Sequence, residues 1–169
     1  MASDSLLTGS EALNLIAHSR HLHVRTRTRQ QFVDLTAETA ETVRRSRVRH
    51  GFVCVQTLHT TTAVVVNENE PGLLQDMAEV LERLVPRGRG YRHDDLARRP
   101  GAPPDEPANG NAHCQAMLLS ASQTLTIHEH RIQLGRWQRI FLVELDGGRM
   151  RTVSLTVLGT CAGMAGTTA

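Results

Sequence analysis

The readable pattern begins with period-two alternation. Between His21 and Arg29, Leu22, Val24, Thr26 and Thr28 fall on one face and His or Arg on the other, which predicts a half-exposed strand. A second short extended run occupies residues 31–35. The pattern then becomes helical after a cap at Thr36. Glu38 and Glu41 sit near the positive end of that helix and Arg44, Arg45 and Arg47 near its negative end, the order that suits a helix dipole. Gly51 breaks the pattern, and residues 52–58 and 61–66, rich in β-branched side chains, predict buried strands. Glu70 caps the next helix and Pro71 takes its first position. Leu73, Leu74, Met77, Val80, Leu81 and Leu84 then recur at helical spacing until Pro86 ends the run.

Residues 87–110 carry four prolines among glycines and charges, which predicts a long connection rather than a core element. Residues 112–120 predict a short helix, and residues 124–127, 139–145 and 151–158 predict strands. Asp146-Gly147-Gly148 carries the signal of a hairpin between the last two. With no internal repeat and no second apolar unit, these elements predict a single α+β domain.

Composition narrows the function classes. Aromatic residues are only 3% of the 169, so the core must rest on Val, Leu, Ile and Ala, and the single Trp137 is expected within it. All 19 basic residues are arginine, which excludes a Schiff-base lysine and a P-loop lysine. A net charge of +2 and few aromatics for stacking argue against nucleic-acid binding. The basic runs 20–29 and 44–49 are expected to be solvated faces, with some arginines able to meet a phosphorylated ligand. Cys54, Cys114 and Cys161 form no CxxC pair and are expected to be reduced, buried thiols. No signal-peptide pattern and no bilayer-length apolar run is present, so a soluble, cytoplasmic protein with no membrane partner is expected.

Nine histidines suggest where chemistry lies. His59 ends a strand, His93 opens the long connection beside Asp94 and Asp95, and His113 closes it four residues after Asn109. Neutral imidazoles at element ends suit a metal site or acid–base work, and single histidines also serve as hydrogen-bonded structural groups. His21 with His23, and His128 with His130, are spaced as pairs on exposed strands. Glu68 follows an apolar strand and is a candidate acid, base or oxygen ligand. Glu144 ends another strand, with Arg149 and Arg151 after the turn.

The ordered set His59-Thr60-Thr61-Thr62-Ala63, Asn67-Glu68-Asn69-Glu70, Tyr91-Arg92-His93-Asp94, Asn109, Ala112-His113, Leu134-Gly135-x-Trp137-Gln138, Glu144, Arg149 and Arg151 resembles the YjbQ-like family. The resemblance implies an α+β domain with mixed, mainly antiparallel β-sheets over residues 20–160. An N-terminal extension (1–19) would precede it and a flexible tail (161–169) would follow. It also implies a homotrimer and a pocket near a subunit boundary. Carried over, the catalytic set is His59, Glu68, Asn109, Glu144 and Arg149, and a divalent metal ion, zinc or magnesium, is held by His59, His93 and His113. The implied activity is that of a thiamine-phosphate synthase, joining a pyrimidine diphosphate to a thiazole phosphate with release of pyrophosphate. The chain departs from the family at Arg136, where a small residue or Thr is usual, and in residues 127–131, where Pro and Gly are usual. Two alternatives stay open: a metal-dependent hydrolase or transferase acting on another small phosphorylated metabolite, and a non-catalytic metal- or metabolite-binding trimer.

Overall fold

The computed structural model describes residues 15–103 and 105–161. Strand β1 (Leu15–Arg25) and the last strand, β8 (Met150–Thr160), pair antiparallel along their whole length, with Leu15 opposite Thr160 and Arg25 opposite Met150. The ladder therefore takes in residues 15–19 of the expected N-terminal extension and releases 26–29, which the alternation had included. The physical reason lies at Thr26, whose hydroxyl leaves the strand to bond Glu144. Residues 1–14 and 162–169, with most of the expected extension and tail, lie outside the described residues.

Between these strands come β2 (Gln31–Asp34), α1 (Thr36–Ser46), β3 (His50–Thr57), β4 (Thr62–Glu68), α2 (Pro71–Leu84), α3 (Gly110–Leu118), β5 (Ser122–His128), β6 (Arg131–Ile132) and β7 (Gln138–Glu144). Among the described residues they form an antiparallel five-stranded sheet, β1-β8-β3-β5-β6, and an antiparallel three-stranded sheet, β2-β7-β4. Strands β7 and β8 thus belong to different sheets. The Asp146-Gly147-Gly148 turn is not the predicted hairpin but a step from one sheet to the other.

Two cores follow from this layering. Val53, Val55, Val153, Leu155 and Val157 on the inner face of the large sheet meet Val64, Ile140 and Leu142 of the small sheet, with Leu35 and Val43 closing one side. The opposite face of the small sheet, with Ala63, Phe141, Val143 and Leu145, packs on Leu81 of α2 and Ala112 of α3. The central strand β7 is covered on both faces, which is why Ile140, Phe141, Leu142 and Val143 run apolar without alternation. Buried Gln115 ties the two helices together, its Nε2 donating to the carbonyls of Leu81 and Val85 at 3.2 and 3.1 Å.

Local chemistry sets the helix ends. The Glu70 carboxylate accepts from Gly72 and Leu73 N–H at 2.8 and 2.6 Å, as its position before Pro71 predicts. Thr36 is not the cap of α1. Asp34 accepts its N–H, while the Thr36 hydroxyl accepts from Ile140 N–H and so binds the helix to β7. Glu41 pairs with both Arg44 and Arg45. The cysteines are only half-buried, and Trp137 stands 60% exposed with the Arg136 guanidinium 4.7 Å from its ring centre, so it is not a core residue.

Among the described residues, the outer face of the large sheet carries no helix. Ala17, Ser19, His21, Thr152, Ser154, Thr156, Leu158, Phe52, Cys54, Thr124 and Thr126 fill its middle by register, and charge enters only towards its ends, at Arg25 and Arg131. Solvated sheet faces ordinarily carry charge, and interface centres are depleted of it. Among the described residues no helix is long and apolar enough to cross a membrane.

Strands β3 and β8 approach closely where Gly51 faces Gly159. A Cβ on Gly51 would lie 2.1 Å from the Leu158 carbonyl oxygen and 2.6 Å from Gly159 Cα, both backbone atoms that cannot swing aside. Gly51→Ala is expected to lower stability by about 1–3 kcal/mol, the usual cost of overpacking, read from the midpoint of urea denaturation.

Candidate functional site

The polar residues that fold inward gather where β7 ends, β8 begins and the 57–62 connection passes. Glu144 is fully buried and Arg151 is 3% exposed. The Arg151 fork donates twice to the Glu144 carboxylate, at 2.6 and 2.5 Å. Thr26 Oγ1 adds a bond at 2.8 Å, and the N–H groups of Asp146 and Gly147 add two more at 3.0 and 3.2 Å. Five donors on one carboxylate decide its charge. Burial alone would raise the Glu144 pKa, but the Arg151, Thr26 and Asp146 hydrogen bonds outweigh it and hold the group ionised below its ordinary value.

This pair organises its neighbours. Arg151 also donates to Thr61 Oγ1 at 3.1 Å, and the Thr57 and Thr62 hydroxyls bond each other beside it. Next along the turn, Asp146 is 7% exposed and accepts from Asn109 Nδ2 at 2.9 Å and from Arg149 at 2.5 Å. Arg29, from the β1–β2 turn, lies 3.8 Å from the other Asp146 oxygen and donates to Asn111 Oδ1 at 3.2 Å. Two buried amide atoms, Asn109 Oδ1 and Asn111 Nδ2, are left without a hydrogen-bond partner.

The histidines divide into two sites. His59 Nε2 accepts the Thr152 N–H at 2.8 Å, so its neutral form carries the proton on Nδ1. Burial and the nearby Arg151 and Arg149 lower its pKa, against an opposing pull from Glu144. His93 and His113 contact each other with ring centres 4.6 Å apart. Burial first and His93 second push the His113 pKa down, and Arg99 adds to this, whereas Asp146 and Glu106 oppose it. The His59 and His113 rings are therefore held neutral near pH 7. His93 is flanked by Asp94 and Glu106 at 3.6 Å each, and Arg99 clamps the long connection through the His93 carbonyl and Glu106.

The set expected from the sequence is thus largely assembled. His59, Glu144 and Arg149 share one electrostatic neighbourhood, and Asn109 joins it through Asp146, to which His113 and its neighbour His93 are also coupled. Glu68 is not. It pairs with Gln138 at the far end of the β4–β7 ladder, whereas Thr62 faces Glu144, a separation of six residues or about 20 Å. The three-histidine metal set does not fit either. The Nε2 lone pair of His59 is taken by a backbone N–H, and among the described residues no group of three or more His, Cys, Asp or Glu side chains is placed to hold a metal ion. His59 is placed for hydrogen bonding to the backbone of β8.

Sequence reasoning missed Asp146, which it read as a turn residue, and Arg29, Asn111, Glu106 and Arg99. Arg151 had a usable signal. It shares strand parity with Val153, Leu155 and Val157, so an arginine at that position is directed into the core and needs a buried acid. Thr26 continues the parity of Leu22 and Val24 in the same way. A separate apolar hollow of about 350 Å³ lies under α2, lined by Phe32, Val65, Met77 and Leu81, away from this polar cluster.

Taken together, these features define an antiparallel two-sheet α+β protein with a buried Glu–Arg pair and a neighbouring histidine–amide–arginine cluster. Its relatives share that fold. The family model described as "UPF0047 protein YjbQ-like" matches residues 20–160, and the chain belongs to this family. A UPF0047 protein of Archaeoglobus fulgidus is 40% identical over 137 residues, covering 81% of this chain and 98% of the relative. YugU of Bacillus subtilis is 28% identical over 139 residues, covering 82% and 97%. Among solved structures, a YbjQ-like protein of Sulfolobus solfataricus P2 superimposes with a TM-score of 0.77 at 30% identity, covering 86% of this chain and 99% of that one. The protein APE1520 of Aeropyrum pernix K1 gives 0.74 at 34% identity, covering 84% and 98%.

Removing one partner of the buried pair tests this organisation. Arg151→Met is expected to cost about 3–5 kcal/mol at neutral pH because it strands a buried carboxylate, measured by urea denaturation. In the parent protein the pair's contribution is present above the unfolded Glu value of about 4.3. It is lost as pH falls through the lowered folded value. The variant should lack that acid transition.

Proposed function

We propose that this protein is an enzyme acting on a small phosphorylated metabolite, with thiamine-phosphate synthase-type coupling as the first reaction to assay. The observation that carries this reading is the polar cluster itself. Asn109, Arg29 and Arg149 meet one buried carboxylate, Asp146, while Arg29 also holds Asn111 and His113 lies within the electrostatic reach of Asp146; both asparagines keep an unpartnered amide atom. Two guanidinium groups against one carboxylate leave an excess positive charge, the complement of a phosphate or diphosphate.

In the coupling reaction the thiazole nitrogen attacks the pyrimidine methylene carbon and pyrophosphate departs. Arginine donors would meet the charge that develops on that leaving group, and the asparagines would orient the ring. No covalent nucleophile is required. If the nucleophile is instead a hydroxyl or water, His113 accepts its proton, because burial keeps the imidazole in its basic form.

The same reading puts the protein in a homotrimer whose subunits meet on the outer face of the five-stranded sheet. Support comes from the register that keeps charge off the middle of this face and leaves Arg25 and Arg131 towards its ends, and from His59 and His23, both bonded to Thr152 at its rim. A second copy there would border the site.

His113→Ala is expected to lower turnover about 10²–10⁴-fold, the usual range for a general acid or base, with the fold intact by circular dichroism. In the parent protein the acid limb of a proton-transfer reaction should lie below the ordinary His value of about 6.5, since the base is lost only as pH falls through the lowered pKa. Unchanged turnover in His113→Ala would remove the histidine from the chemistry. By light scattering, the mass should be three times the 18.6 kDa of the chain, and a monomer would overturn the assembly.

A further inference from the structure

Arg29 belongs to a basic run whose members mostly face solvent, yet its side chain does not. The guanidinium reaches across the β1–β2 turn to Asn111 at the start of α3 and to Asp146 in the β7–β8 turn. It is 22% exposed, which leaves one edge open to solvent. One of its five N–H donors is used on Asn111, and one nitrogen is turned toward Asp146.

Asn111 supplies the second observation. The residue is 3% exposed, and Arg29 holds its amide oxygen, which fixes the orientation of the group. Its Nδ2 is consequently aimed away from Arg29, buried, and without an acceptor. A buried donor left unpaired costs about 1–3 kcal/mol, so a fold that holds Asn111 this way is built to receive an acceptor there. Arg149 approaches the same Asp146 from the other side, at 44% exposure. Asp146 carries one negative charge against two guanidinium groups, and the neighbouring Glu144 is already matched by Arg151.

We propose that Arg29, Asn111 and Arg149 form an oxyanion subsite that holds a phosphoryl group. Arg29 and Arg149 provide the charge, and Asn111 Nδ2 provides a directed hydrogen bond. Asp146 takes no part in the contact and acts as the positioning residue that aims both arginines. The neighbouring Asn109 Oδ1, also buried and unpartnered, accepts from a hydroxyl or amine on the same molecule. The preferred ligand is therefore a phosphoester bearing a hydrogen-bond donor rather than a bare anion. This subsite rests on the reading of the protein as an enzyme of phosphorylated metabolites, and it names the part that recognises the phosphate.

The test is calorimetric titration of inorganic phosphate, pyrophosphate and glycerol phosphate into the parent protein and four variants. Arg29→Ala and Asn111→Asp should each weaken binding of all three at least tenfold. Asn111→Asp keeps the oxygen that Arg29 grips and replaces only the donor, so its circular dichroism and melting temperature should stay close to those of the parent. Arg29→Lys, which keeps charge but not the fork, should bind between the parent and Arg29→Ala. Glycerol phosphate should bind the parent more tightly than inorganic phosphate. If Arg29→Ala and Asn111→Asp bind as the parent does while Arg149→Ala loses binding, this subsite is overturned and the broader enzymatic reading survives. If the parent binds none of the three probes, both fall.

Discussion

Glu144 and Arg151 are a carboxylate and a guanidinium almost entirely removed from water, and the geometry around them depends on their remaining paired. Desolvating two charges is costly, and their attraction offsets that cost only when every lone pair and donor is engaged. Here the carboxylate receives the Arg151 fork, the Thr26 hydroxyl and two turn N–H groups, while Arg151 extends to Thr61. These contacts come from four stretches of the chain, Thr26, Thr61, residues 144–147 and Arg151. They explain why β1 ends at Arg25, why the turn after β7 folds tightly over the strand end, and why the 57–62 connection is held beside both.

The same pair accounts for the polar cluster beside it. Because Glu144 captures the N–H groups of Asp146 and Gly147, the Asp146 side chain is free to face the opposite way, toward Asn109, Arg149 and Arg29. A buried carboxylate that is locked in place then positions two arginines that would otherwise be mobile surface groups. His113 is brought to the same region by α3, whose first turn carries both asparagines, and the long connection covers it through His93, Glu106 and Arg99. His113 stays neutral through burial, so the cluster offers a proton acceptor and directed donors at once.

Part of this organisation was legible from one dimension. The apolar run of β7, the helical spacing of α2 and the cap at Glu70 follow local rules, and each formed as its pattern predicts. His59, His93, Asn109, His113, Glu144 and Arg149 stood out as polar residues at element ends, and their resemblance to a family pattern grouped them. Glu68 satisfied the same criteria and proved remote, because the antiparallel register of β4 on β7 sends its two ends to opposite sides of the molecule. Trp137 was placed inside by the habits of its residue type, and the fold leaves it at the surface with Arg136 beside it.

What the sequence by itself determined is what depends on neighbours within a few residues: strand and helix periods, the cap before Pro71, the absence of lysine chemistry and the family pattern. What only the tertiary structure decided is which distant residues meet. Asp146 reads locally as a turn, and only the passage from one sheet to the other makes it the carboxylate that aims Arg29 and Arg149. His59 reads as a metal ligand until Thr152, 93 residues away, occupies its lone pair. Both outcomes follow from long-range strand pairing. Register and sheet membership are settled by the burial of whole faces, and no local window of sequence contains that information.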